Sequence, residues 1–209
     1  MMTSSRIPLF FLLAFFFSAC GYGDKKMIIT EDFGDTSFVN KNFAGNKKEF
    51  NNIDNICDLI PVSQVADLYK VEESQVLIAR NPQGGTQTSC RFLISFSEQK
   101  FDNITGIIAV TREVSESEDL GEIAKAAGHG TDWVEAWELK KKMSKSAEYI
   151  SDMGKAAIWF GSKRNLLVKL DGYNLSLTVP GSDFHEKEKT MNRDYKSIAL
   201  AIAKNIGLL

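Results

Sequence analysis

The chain predicts an α+β domain, an antiparallel sheet of about six strands covered by helices. Three observations carry this. Short β-prone segments fall in two groups of three, with helical periodicity before, between and after them. Asp171-Gly172 separates two such segments and supplies the positive φ that a two-residue type I′ turn needs, so those two pair antiparallel. The last segment carries an apolar stripe that needs a sheet to cover.

The elements follow in order. Pro61 opens a helix in which Val62, Val65, Ala66, Leu68 and Tyr69 form an apolar stripe. Residues 75–80 are short and β-prone, and Asn81-Pro82-Gln83-Gly84-Gly85 is a turn. A strand over 90–97 sets Cys90, Phe92, Ile94 and Phe96 on one face; 104–112 is another, rich in β-branched residues. Periodicity predicts helix over 118–149, in two pieces broken near Gly128-His129-Gly130. In the second piece Ala136, Leu139, Met143, Ala147 and Ile150 recur at spacings of three and four. Strands over 156–160, 165–170 and 173–179 form the second group. A helix over 192–206 closes the chain, striped by Tyr195, Ile198, Ala199, Ile202, Ile206 and Leu209. Helices are expected on one face of the sheet, and the element order suggests two related halves, although no sequence repeat is visible.

Lys+Arg number 25 against 27 Asp+Glu, a net charge of −2. That balance argues against a nucleic-acid binder, which shows a clustered basic excess. Hydrophobic content of 44% with 25% charged residues is that of an ordinary globular domain with one sizeable core.

The N-terminus has a different character. Met1 to Arg6 is a short basic start, Ile7 to Phe17 is apolar, and Ser18-Ala19 supplies the small residues that signal processing needs. The apolar run would span about 16 Å as a helix, too short for a hydrocarbon core of about 30 Å. Cys20 directly after Ser18-Ala19 resembles the lipobox of bacterial lipoproteins, although Phe17 stands where that motif has an aliphatic residue. The resemblance implies removal of residues 1–19, lipidation of Cys20 and anchorage in the membrane. Each buried methylene of the acyl chains contributes about 0.8 kcal/mol, so two or three chains hold stably. Removal of 1–19 takes away Arg6 and leaves 24 basic residues against 27 acidic.

Residues 20–52 read as the lipidated cysteine and a flexible tether, rich in Gly, Asn, Asp, Lys and Ser, and 53–209 as a single α+β domain. Phe33, Phe38, Phe43 and Phe50 recur through the tether. They are expected to dock on the domain; the sharper alternative is a partner-binding strip. In an oxidising compartment Cys57 and Cys90 form a disulfide by default, with two buried free thiols as the alternative.

Cys57-Asp58-Leu59-Ile60-Pro61 leads into a helix, and a second cysteine begins the aromatic strand Cys90-Arg91-Phe92. Later, Gly154-Lys155-Ala156-Ala157-Ile158-Trp159 enters a strand, and an Ala/Ile-rich helix ends the chain. Over residues 55–209 this pattern resembles the secreted, single-disulfide lipoproteins of PsbP-like α/β sandwich type. The resemblance implies a binding or accessory role and carries over no catalytic residue.

Candidate chemistry is sparse. His129 and His185 lack any metal-ligand spacing and read as solvated loop residues. No Gly-x-Ser-x-Gly elbow or phosphate-cradling loop is present, and no catalytic residue, metal or cofactor is expected. Trp133 and Trp137 lie one turn apart and could line a ligand groove, although such pairs are more often core. Lys140-Lys141-Lys142 spreads around a helix and reads as a solvated rim, with anionic headgroups as the alternative partner.

The expected function is therefore a non-catalytic, lipid-anchored envelope module that binds an envelope protein or a small amphipathic ligand. The alternatives are an envelope hydrolase with a site near His129, Asp132 and Glu135, and an inhibitor of a periplasmic toxin. Gly21 rather than Asp after Cys20 leans towards the outer membrane in a diderm host, facing the periplasm.

Overall fold

Alternation of apolar and polar residues makes 87–95 and 103–112 strands with one buried face each. They belong to one seven-stranded antiparallel sheet. Its strands are β1 (Val76–Arg80), β2 (Gln87–Ser95), β3 (Asn103–Arg112), β4 (Ala147–Ile150), β5 (Ala156–Phe160), β6 (Asn165–Lys169) and β7 (Tyr173–Thr178). A computed structural model describes residues 35–81, 85–97, 102–113 and 133–209. The sheet order is β1-β2-β3-β7-β6-β5-β4, so two meanders meet where β3 pairs with β7.

The seventh strand corrects the expected count of six. Ala147 and Ile150 continue the helical spacing of the preceding segment, yet the helix, α2 (Trp133–Lys142), ends before them. Met143, expected on its buried stripe, is 67% exposed. A turn through Ser144 and Ser146 follows, and β5 offers a free edge whose backbone groups Ala147–Ile150 can pair with. Sheet hydrogen bonding overrides the local periodicity. The first helical piece, the break at Gly128-His129-Gly130 and most of the 81–85 turn lie outside the described residues.

Helices cover both faces, not one as expected. On one face lie α1 (Val62–Tyr69) and α4 (Tyr195–Asn205), over Cys90, Phe92, Ile108, Val110, Leu166, Val168, Leu175 and Leu177. On the other, α2 covers β5 through Trp137, Ala156 and Ile158. The reason is legible in β5 itself. Ala156-Ala157-Ile158-Trp159 is apolar at every position, and all four residues are buried, so both sides need cover. By contrast Arg91, Thr105 and Ile107 on the second face of β2 and β3 are exposed.

Two local expectations also change. Asp171-Gly172 does join β6 to β7, but among the two only Gly172 has positive φ (73°), which excludes type I′. The closing helix is shorter than expected and is preceded by a separate turn of helix, α3 (Glu186–Met191), broken at Asn192 with φ 44°.

Asp194 caps α4, accepting from the Ser197 N–H at 3.0 Å and the Ser197 hydroxyl at 2.6 Å. The hydroxyl bond first, then the N–H bond, holds the Asp194 carboxyl below its ordinary range. A depressed folded-state value means the stabilisation is complete above the unfolded carboxyl's pKa of about 4 and is lost as pH falls through the folded value. Asp194→Ala is expected to cost about 1 kcal/mol in urea unfolding at pH 7. The gap between variant and parent should close on acidification; an unchanged gap at low pH would contradict the capping role.

Segment 35–52, expected as tether, belongs to the compact unit that runs from Phe33 to Leu209. Phe38 is buried, and Phe43 and Phe50 pack partly buried against the main core, so these three dock as expected; Phe33 lies outside the described residues. Polar contacts fasten the segment. The Asn46 side chain donates to Asp171 O at 2.8 Å and accepts from Asp171 N–H at 2.9 Å. The Tyr173 hydroxyl donates to Lys48 O at 2.7 Å, and Asn40 N–H donates to Lys155 O at 2.8 Å.

Candidate functional site

The face carrying α2 holds the features that are not simply core. Trp137 is 2% exposed and fills the space over Ala156 and Ile158. It is core, so the two tryptophans do not line one groove. Trp133 is half-buried, with the ammonium groups of Lys169 and Lys155 5.6 and 5.7 Å from its ring centroid. Lys169 is almost fully buried and forms an ion pair with Glu113. Asn174, its cross-strand neighbour, has a buried side-chain oxygen without a hydrogen-bond partner among the described residues.

A cavity of about 450 Å³ opens between segment 37–42 and strand β4. Ser37, Phe38, Asn40, Tyr149, Ile150 and Asp152 line it. The Phe38 ring stacks on Tyr149 with centroids 4.3 Å apart and planes 9° from parallel, and the Lys141 ammonium lies 5.4 Å from the Tyr149 centroid. The Tyr149 hydroxyl is buried and has no hydrogen-bond partner among the described residues. Burial, then the negative charge of Glu138, pushes its pKa up, so the phenol stays a neutral donor.

The floor of the cavity is held from behind. Asn40 Nδ2 donates to Gly154 O at 3.0 Å, which fastens segment 37–42 to the turn after β4. That turn takes positive φ at Asp152 (57°) and Gly154 (60°). A Cβ on Gly154 would lie 2.5 Å from Lys169 O, so only glycine fits there. Beside Ser37, Asp35 accepts its hydroxyl and N–H, which lowers the Asp35 carboxyl.

The residues singled out from sequence fare unevenly. Cys20, His129 and Asp132 lie outside the described residues; Glu135 sits half-buried on α2. His185 is not solvated: its Nε2 is 2.8 Å from Asp102 Oδ1 and its ring centroid is 4.9 Å from that of Phe96. Its Nδ1 is buried and has no hydrogen-bond partner among the described residues. Lys140–Lys142 are not a free rim either. Lys140 lies 5.8 Å from the Trp137 centroid, Lys141 covers Tyr149, and Lys142 pairs with Glu138 at 3.0 Å. Cys57 and Cys90 lie at disulfide-bonding distance, Cα–Cα 5.2 Å.

Sequence reading missed Tyr149 and Lys169, whereas Phe38 stands among the tether phenylalanines expected to dock on the domain. Lys169 alone leaves a signal, a single charge inside the apolar run Leu166-Leu167-Val168-Lys169-Leu170. No family model, curated protein or solved structure matches the chain. Among the described residues no helix is long and apolar enough to cross a membrane, and no cluster of three or more His, Cys, Asp or Glu could hold a metal ion.

Proposed function

We propose that the protein is a lipid-anchored envelope module that binds a ligand or protein segment at the cavity between segment 37–42 and β4. The observation that carries this reading is the cavity itself. Its 450 Å³ lies within the range of ligand sites, and it combines an aromatic wall, Phe38 stacked on Tyr149, with the polar residues Ser37, Asn40 and Asp152. The lipobox-like Ser18-Ala19-Cys20 supports acylation of Cys20, with Gly21 in the next position favouring the outer membrane. A sheet covered by helices, with Cys57 beside Cys90, is compatible with a PsbP-like lipoprotein and its accessory role.

Two measurements test the proposal. Intact-mass analysis of protein purified from its native membranes should show Cys20 as a diacylated N-terminus; a mature chain without fatty acid would overturn the anchor. A small-molecule fragment screen on the full-length protein, read by amide hydrogen exchange, should protect 37–42 and 149–152. Ser151→Trp, placed at the cavity edge, should abolish that protection. Hits spread over the surface, or untouched by Ser151→Trp, would overturn the site.

A further inference from the structure

We infer that the occupant of this cavity is an extended, acidic peptide segment that adds a strand to β4. The inference rests on the binding site proposed above and names what enters it. Ser146 O accepts from Gly161 N–H at 3.1 Å, which sets the register of β4 against β5. In an antiparallel ladder the residues that bond to the partner alternate. Ser146, Glu148 and Ile150 therefore face β5, while Ala147 and Tyr149 turn their backbone groups to the outer edge. The Ala147 N–H is used by Ser144 O. By this register the Tyr149 N–H and C=O have no ladder partner among the described residues, and Tyr149 also lines the cavity.

Strand and cavity thus form one feature, a donor–acceptor pair on an edge, unpaired among the described residues, with a walled trough beside it. An extended peptide can meet both, its backbone pairing with Tyr149 and its alternate side chains entering the trough. A four-residue edge is by itself a poor template, and short edges are one way sheets avoid self-pairing. The partner must therefore also use the trough. None of the residues lining the cavity comes from β1, the other edge of the sheet.

Charge selects the partner. Three nearby carboxylates already face a lysine: Glu138 pairs with Lys142, Glu148 with Lys196 at 3.0 Å, and Asp35 feels Lys141 and Lys142. Among the described residues, Lys41 at the cavity wall and Lys145 just before β4 are exposed and remain, against Asp152. This cationic excess favours carboxylates on the partner.

The test uses full-length protein in detergent micelles and a capped peptide alternating valine and glutamate. The peptide should slow exchange of the Tyr149 amide, and N-methylation of its backbone should weaken binding about tenfold or more. A valine–lysine peptide should bind more weakly still. Equal binding of the N-methylated and parent peptides, or no peptide binding while fragments still protect 37–42, overturns strand addition and leaves the cavity reading standing. Equal binding of the lysine peptide overturns the acidic preference. Protection of Tyr149 that grows with protein concentration alone would assign the edge to a second copy. If neither peptide nor fragment engages the cavity, both readings fall.

Discussion

Arg193→Leu is expected to lower the free energy of unfolding by about 3–5 kcal/mol, the cost of leaving a buried charge without its partner. Arg193 Nε donates to both oxygens of Glu188, at 2.9 and 3.1 Å, and the two side chains are 5% and 0% exposed. Glu188 Oε1 also accepts from the Tyr195 hydroxyl at 2.8 Å, and the guanidinium lies 4.8 Å from the Tyr69 ring centroid. The Tyr69 hydroxyl in turn donates to Pro180 O at 2.7 Å. One ion pair therefore joins α1, α3, α4 and the chain leaving β7. In the double variant Glu188→Leu with Arg193→Leu no charge is left stranded, so it should recover part of the loss; a double-mutant cycle in urea measures the coupling. A single-variant cost under about 1 kcal/mol would mean that this segment contributes little to the folded state.

Breaking the link between Cys57 and Cys90 should cost about 3–4 kcal/mol on the chain-entropy model. The two residues are 33 positions apart, and each is nearly inaccessible in the main core. The loop they close contains β1, an edge strand paired with β2 alone, and α1, which also packs on α4. Reduction should thus loosen that end first, and hydrogen exchange in 62–80 should accelerate before exchange in β6 and β7. Cys57→Ala with Cys90→Ala should unfold at lower urea than the oxidised parent and close to the reduced one. Equal midpoints for oxidised and reduced protein would remove the cross-link from the account.

How far the sequence reveals this fold depends on what each element answers to. Strands β2, β3 and β7 are set by alternation against a single core, and their residues state it. The stripe on α4 is equally direct, with Ile198, Ala199, Ile202 and Ile206 buried as their spacing requires. Strand β4 is different. Ala147-Glu148-Tyr149-Ile150 has no strong preference of its own, and the hydrogen-bonding edge of β5, later in the chain, decides its state. The two-faced cover of the sheet was available in the unbroken apolar run of β5, a signal outweighed by the expectation of helices on one side.

The site was less visible than the fold. Its defining groups are backbone atoms of an edge strand, one tyrosine, and a segment whose aromatic residues have no periodicity. Phe38 becomes part of a wall because Asn40 ties its neighbours to the 151–155 turn, a long-range contact that leaves no local pattern. Trp133 and Trp137 stood out for their residue type, whereas packing sends Trp137 to the core and leaves Trp133 against two lysines. Glu188 and Arg193 lie five positions apart across a helix end, outside the spacings that pair side chains within a helix.

The most direct test of a binding role for this edge is made inside the cell. A photo-crosslinking amino acid is placed at Asn42 or Ser151, on the rim of the cavity, and for comparison at Lys204 on α4 or Thr105 on β3. The account predicts discrete adducts from both rim positions, reduced when the valine–glutamate peptide competes in permeabilised cells, and none of these adducts from Lys204 or Thr105. Adducts of equal yield from all four positions, or none from the rim of a correctly folded protein, would contradict it.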